Sequence, residues 1–245
     1  MKIFLIVFVW VFSLLSISIS SSANHERNVM SAVNLNSSKS YNKFLIKIIY
    51  QECGLRDKLD YNIFKSAMDG YNSIDVENKK FLSIIDYSKP STEKRFFIID
   101  LENHKLLYNT LVAHGKKSGY LNATKFSNKL ESHKSCLGFF KTGKSYLGKR
   151  GYSLQLEGLE KGINDNALTR GIVIHGANYV NEELADGNGV IGRSWGCPAV
   201  SKKISKQIID LLKGGSLLYI YADNELYKEK SAIINFDVEE NTNTN

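Results

Sequence analysis

The chain has 245 residues, 43% hydrophobic and 23% charged, proportions that exclude disorder throughout and leave enough length to bury a sizeable core. Two prolines and three cysteines exclude a collagen-like chain, a Pro-rich linker protein and a disulfide-stapled mini-fold. The net charge of +7 invites a polyanionic partner.

Lys2 precedes an apolar run from Ile3 to Ile19, and Ser20, Ser21, Ser22 and Ala23 follow. A positive start, an apolar stretch and a small-residue exit predict a secretory signal peptide over residues 1–23, cleaved after Ala23. The alternative is an uncleaved anchor, for which the run is slightly short. The first cysteine is Cys53, too far from the exit for a lipid anchor. The expectation is an exported protein with no stable membrane anchor after cleavage. Export also removes nucleic acid as a partner for the basic surface.

Residues 24–40 read as a polar linker. A small α-helical N-terminal module is expected over residues 41–90. Its first helix carries Tyr41, Phe44, Leu45, Ile48 and Ile49, with Gly54 as a stop. A second starts at Asp60, carries Phe64, Ala67 and Met68, and ends at Gly70; a third runs near Asp75 to Ile85. After Pro90 the chain changes character, and residues 91–222 form the second domain. Short β-rich runs at 96–99, 106–112, 137–140, 153–156, 171–175 and 217–221 are separated by glycines. One late helix starts at Ser201 and exits at Gly214-Gly215. Residues 223–245 read as a polar tail. The fold class expected is mainly β, preceded by the helical module.

The charge is concentrated. Between Lys116 and Arg150 nine basic residues face one acid, Glu131. This stretch is either a solvated basic face or a surface for an anionic polymer or carboxylate-bearing peptides. The odd number of cysteines leaves one unpaired in an oxidising compartment. Cys53 and Cys136 either bridge or remain two free buried thiols.

The residues that carry chemistry lie between Gly171 and Ser201. Gly-Ile-Val-Ile-His-Gly ends a strand in His175, a rigid mount for a general base. Later comes Gly192-Arg193-Ser194-Trp195-Gly196-Cys197-Pro198-Ala199. Gly196 permits unusual backbone angles, and Pro198 restricts Cys197 to extended ones. Backbone N–H groups in the turn 194–197 are candidates for an oxyanion site. A thiol paired with an imidazole ionises near neutrality, although an isolated His and Cys are as often simply packed.

The stretch from about Ser91 to Tyr221 resembles the murein L,D-transpeptidase catalytic domain, the YkuD-type family in its GRS-x-GCPA branch. The residues that carry the resemblance include Val112-Ala113-His114-Gly115, residues 135–143, Gly151-Tyr152-Ser153-Leu154, Asn164-Asp165-Asn166-Ala167, Arg170, Ile174-His175-Gly176-Ala177 and residues 192–200. The resemblance implies a β-sandwich-like domain, a nucleophilic Cys197 and His175 as general base and acid. Ser194 and Gly196 match the Ser/Thr and Gly of the family signature. Trp195 stands where the broader family has a second histidine, and Ala199 where many relatives carry an arginine. The second departure points to Arg193 or Arg170 as the group that binds a substrate carboxylate, with Arg193 preferred for its bidentate grip. With Trp195 in place of a histidine, His175 is the group expected to stabilise the thiolate and hold Cys197 below about 8.5.

The implied activity is acyl transfer on peptidoglycan stem peptides in the periplasm or cell envelope of a bacterium. It forms 3→3 cross-links through a Cys197 thioester, with no metal or organic cofactor. Two alternatives remain. One is an L,D-carboxypeptidase or cross-link-cleaving amidase with the same pair, and the other is a non-catalytic murein-binding protein. His114 either lines the site beside the substrate or bonds its own loop. Trp195 either stacks on a substrate or caps the core. Asp165 and Arg170 are expected to form a local ion pair.

Overall fold

The computed structural model describes residues 41–234. The expected signal peptide, the linker 24–40 and the end of the tail, 235–245, lie outside the described residues. Two helices come first, α1 (Lys43–Glu52) and α2 (Tyr61–Ser73). The Asn42 side chain accepts the Leu45 N–H at 2.9 Å, and the Asp60 carboxylate accepts the Asn62 N–H at 2.7 Å. These caps satisfy donors that a helix start leaves bare. The sequence predicts a stop at Gly70, but α2 runs on to Ser73. Gly70 serves packing instead: a Cβ there would lie 2.1 Å from the Phe139 ring, so only glycine lets the helix approach the sheet this closely.

The third predicted helix is not formed. Phe81–Asp86 is strand β1, buried along its whole length. Phe81, Leu82, Ile84 and Ile85 fit a helical stripe as well as a buried strand, and over so short a run periodicity does not separate the two. β1 thus lies within the stretch read as a helical module, and α1, α2 and the sheet share one hydrophobic core.

The other strands are β2 (Phe96–Asp100), β3 (Lys105–Thr110), β4 (Gly138–Gly148), β5 (Gly151–Gly158), β6 (Val173–Ala177), β7 (Ala199–Ser201) and β8 (Leu217–Tyr221). They form one sheet in the order β3-β2-β1-β8-β4-β5-β6-β7. The β1–β8 and β6–β7 pairs are parallel, and the others are antiparallel. The mainly β class is the one observed. Besides the late helix α4 (Lys202–Leu212), two short ones flank it, α3 (Glu182–Asn188) and α5 (Glu225–Lys230). α5 falls in the stretch read as a polar tail. Tyr227 and Ile234 are buried there, and the Tyr227 hydroxyl donates to the Glu160 carboxylate at 3.2 Å. Two apolar anchors in a polar sequence are enough to dock it. Among the described residues no helix is long and apolar enough to cross a membrane.

What positions the functional region is the near-closure of the sheet. After β3, residues 111–115 cross to the opposite edge, where the Ala113 N–H donates to the Ala199 carbonyl at 2.8 Å. Bridges pair Ala113 with Ala199 and Gly115 with Ser194. Arg95, fully buried, holds this crossing segment. It donates from Nε and Nη2 to the Val112 carbonyl at 3.2 and 2.9 Å, from Nη1 to the Lys89 carbonyl at 2.6 Å, and from Nη2 to His114 Nδ1 at 2.8 Å. Its guanidinium also lies 4.8 Å from the Tyr87 ring centroid.

Replacing Arg95 with alanine strips donors from Val112, Lys89 and His114 together. At about 1–3 kcal/mol for each buried group left unpaired, Arg95→Ala is expected to lower stability by at least about 3 kcal/mol, read as a lower urea midpoint. Arg95→Lys should recover only part of the loss, because an ammonium cannot reproduce the planar fork.

Candidate active site

The turn before β7 is built on two serine hydroxyls. Ser194 Oγ accepts the Gly196 N–H at 3.0 Å and donates to the Cys197 carbonyl at 2.6 Å. Ser135 Oγ accepts the Gly115 N–H at 3.0 Å and donates to the Gly196 carbonyl at 3.2 Å. The Ser194 N–H donates to the His114 carbonyl at 2.9 Å, so the crossing segment and the turn are laced together. Gly196 has φ +123°, and a Cβ there would meet the Lys134 carbonyl at 2.8 Å, so this position admits only glycine. The expected oxyanion assignment is corrected at two positions, because the N–H groups of Ser194 and Gly196 are already engaged. Those of Trp195 and Cys197 have no carbonyl partner among the described residues, and the Cys197 N–H turns toward its own sulfur.

Cys197 is buried, with Sγ 3.6 Å from the Gly171 carbonyl and facing the Val173 N–H. The thiol thus touches the start of β6, the strand that carries His175. In the parallel β6–β7 register His175 lies beside Ala199. From Val173, where the thiol rests, to His175 is one pleat repeat, about 7 Å. The ring of His175 is fixed: Nδ1 lies 3.1 Å from the Gly176 carbonyl, which can only accept, so Nδ1 carries the proton. Nε2 is buried and has no hydrogen-bond partner. It is the basic nitrogen, and no protein group among the described residues bonds to it.

The electrostatics correct the expectation of a preformed ion pair. Burial raises the Cys197 pKa, against partial lowering by the Val173 N–H, Arg150 and Arg170. Burial lowers that of His175, partly countered by the Gly176 carbonyl, and Arg150 lowers it further. No hydrogen bond joins the two groups. At neutral pH the site holds a thiol and a neutral imidazole.

Other expected site residues are committed elsewhere. His114 is fully buried. Its Nδ1 accepts from Arg95, and its Nε2 faces the Gly119 carbonyl at 3.3 Å. Burial, then Arg95, push its pKa down to about 4, so it is a neutral structural group with no nitrogen for a substrate. Arg170 donates to the carbonyls of Ser127 and Lys134, to Ser132 Oγ at 3.1 Å and to Cys136 Sγ; it braces the loop 127–136 and has no fork left for a carboxylate. The ion pair with Asp165 is absent, that carboxylate accepting from Asn128 Nδ2 and the Gly162 N–H at 2.7 and 2.9 Å. All three cysteines are free and buried, so Cys53 and Cys136 do not bridge.

Trp195 is 57% exposed and does not cap the core. His133 stacks on one face, centroids 4.5 Å apart, and Lys116 Nζ lies 4.8 Å from the ring centroid. Arg193 borders a groove of about 440 Å³ lined also by Lys116, Tyr120, Tyr179 and Asn188. Its guanidinium lies 4.7 Å from the Tyr120 ring centroid and donates to the Gly119 carbonyl at 3.2 Å. No acid lines the groove.

Sequence reasoning missed Arg150 and Tyr179. Arg150 stands at the tip of the β4–β5 hairpin, between the paired Gly148 and Gly151, and the Gly-Lys-Arg-Gly tetrad was its only signal. Its charge acts on Cys197, His175 and Tyr179. Tyr179 follows β6 by two residues and carried no local signal.

The L,D-transpeptidase catalytic domain model matches residues 55–221. No curated protein matches the chain. Among solved structures, an L,D-transpeptidase from Mycobacterium smegmatis is similar at 15% identity and TM-score 0.37, over 58% of this chain and 59% of that one. An L,D-transpeptidase from Stackebrandtia nassauensis aligns at 14% identity and TM-score 0.35, over 72% and 76%. The helical cell shape determining protein Pgp2 from Campylobacter jejuni aligns at 13% identity and TM-score 0.37, over 59% and 48%. The chain thus spans less than two thirds of the first of these.

The resting state sets the pH response of the thiol. Alkylation of Cys197 by iodoacetamide, followed by peptide mass spectrometry, should rise with pH through a midpoint above the ordinary thiol value of about 8.5, because burial disfavours the thiolate. His175→Ala should leave that midpoint in place, since a neutral ring contributes no charge. A midpoint below the ordinary value, lost in the histidine variant, would restore the ion pair.

Proposed function

The chain belongs to the L,D-transpeptidase catalytic domain family, and on that premise we propose that it is a cysteine-dependent acyltransferase acting on peptidoglycan stem peptides. The observation that carries this reading is His175: a neutral ring with its tautomer fixed by the Gly176 carbonyl and an Nε2 that no protein group bonds, on the strand that Gly171, contacted by the Cys197 thiol, leads into.

In the proposed reaction Nε2 of His175 takes the Sγ–H proton as the sulfur attacks the carbonyl that follows the L-centre of diaminopimelate in a tetrapeptide. The carbonyl–nitrogen bond breaks, and D-alanine leaves with the proton carried by the imidazolium. A side-chain amine of a second stem peptide then attacks the thioester. Its proton passes through His175 to the departing thiolate, the 3→3 cross-link forms and the enzyme returns to its starting state. The unpaired N–H groups of Trp195 and Cys197 are assigned to the tetrahedral oxyanion, a role in which one donor is worth about 10²–10³ in rate. The acid-free groove with Arg193 and Lys116 is assigned to a carboxylate of a stem peptide. Action on the cell wall requires export, so the leader read in the sequence belongs to the same proposal.

Muropeptides incubated with the protein and analysed by mass spectrometry test it. New 3→3 dimers are expected. Shortened monomers alone would assign the hydrolytic alternative, and no change would leave a binding protein. Cys197→Ala should abolish the products with folding nearly intact, and His175→Ala should slow them at least about 10²-fold; product from the cysteine variant would remove Cys197 as nucleophile.

A further inference from the structure

A peptide that leaves as a single amino acid carries its carboxylate one residue from the carbonyl attacked, no more than about 4 Å away. A cation that holds this carboxylate must therefore act at the thiol itself. Arg150 and Arg170 do so. Arg170 is saturated by the loop 127–136. Arg193 is turned toward Tyr120 and donates to the Gly119 carbonyl, so its fork is already engaged. Arg150 remains, exposed and without a hydrogen-bond or ion-pair partner among the described residues.

The register explains why a hairpin tip reaches the site. β5 runs antiparallel to β6 with Ser153 beside His175. Following the ladder two residues further brings Gly151 level with Ala177, so Arg150 overhangs the segment that leads to Tyr179. The Tyr179 hydroxyl is buried and no protein group bonds to it, so its donor is free for a ligand. It responds to Arg150 and to Cys197, while its ring lines the Arg193 groove. Tyr179 thus lines that groove and keeps an unused hydroxyl donor.

We propose that Arg150 and Tyr179 form a carboxylate-binding subsite beside Cys197, which holds the C-terminal carboxylate of the acyl donor's leaving residue. The guanidinium fork and the phenol hydroxyl are complementary to one carboxylate. The identity of the ligand rests on the acyl-transfer reading, whereas the anion subsite itself rests on the two unpartnered groups. An anion bound there also neutralises a cation that weakens His175 as a base, so Nε2 gains basicity when the donor is seated.

The test uses two alkylating reagents that differ in charge. Iodoacetate carries a carboxylate one carbon from the reacting centre, and iodoacetamide carries a neutral amide in its place. Both are applied to the full chain, and labelling at Cys197 is quantified by peptide mass spectrometry; the ratio of the two rates cancels any change in thiol ionisation. In wild type the ratio, taken against that of free cysteine, should exceed one. Arg150→Gln should lower it by about tenfold, the loss of one charge-assisted hydrogen bond, and Tyr179→Phe should lower it less. Arg150→Lys should keep an intermediate ratio. An unchanged ratio in Arg150→Gln and Tyr179→Phe overturns the subsite, whatever muropeptides show. Conversely, a fall in the ratio without murein products supports the subsite and removes only the acyl-transfer reading.

Discussion

Every feature of the candidate site depends on the stitch between the two ends of the sheet. The Ala113 N–H bonded to the Ala199 carbonyl, and the Ser194 N–H bonded to the His114 carbonyl, bring a segment that leaves β3 against the segment that enters β7. Without these bonds the turn 194–197 would lie on an open edge, where backbone donors and acceptors are free to pair with water or another chain. Arg95 makes the stitch rigid from below by filling the carbonyls of Lys89 and Val112 and the Nδ1 of His114. The buried cation makes no ion pair; carbonyl dipoles and the Tyr87 face hold it, with Asp86 and Glu93 acting on it through space.

That charge balance shapes the chemistry. The ionised side chains acting on Cys197 and His175 are arginines, so the field favours a thiolate and disfavours an imidazolium. Desolvation outweighs the first effect and adds to the second. The result is a neutral pair in the resting protein; in the proposed reaction the proton moves only when a substrate brings the sulfur and Nε2 into one path. A pair held apart in this way is protected from indiscriminate oxidation and alkylation, since the reactive form is the thiolate. The same field extends outward: of the basic run between Lys116 and Arg150, Lys141 alone pairs with acids among the described residues. Most of the remaining charge is exposed to solvent, and on the proposed function it would steer a carboxylate-bearing substrate within about a Debye length.

Much of this was legible in the sequence, and the failures have physical causes. Strands β2 to β6 and β8 announced themselves by β-branched and aromatic runs between glycines. β1 did not, because Phe81, Leu82, Ile84 and Ile85 satisfy two periodicities at once, and β7 is only three residues long. Cys197 and His175 stood out because a glycine-rich turn and a strand end constrain them locally. The roles of the arginines were not legible. Arg95 lay in an unremarked position yet organises the crossing segment, Arg170 resembled a substrate contact yet braces a loop, and Arg150 was hidden in a run of exposed cations. A guanidinium's role is fixed by which acceptors surround it in three dimensions, and spacing along the chain does not carry that information.

The central claim is that His175 is a neutral ring whose Nδ1 holds the proton and whose Nε2 is the unprotonated nitrogen. It is tested most directly by ¹⁵N NMR of the histidine-labelled protein at neutral pH, with His175 assigned by its loss in His175→Ala. The account predicts the Nδ1–H tautomer, with a protonated-type Nδ1 shift and an unprotonated Nε2 shift. An Nε2–H tautomer, or an imidazolium with both nitrogens protonated, would contradict it.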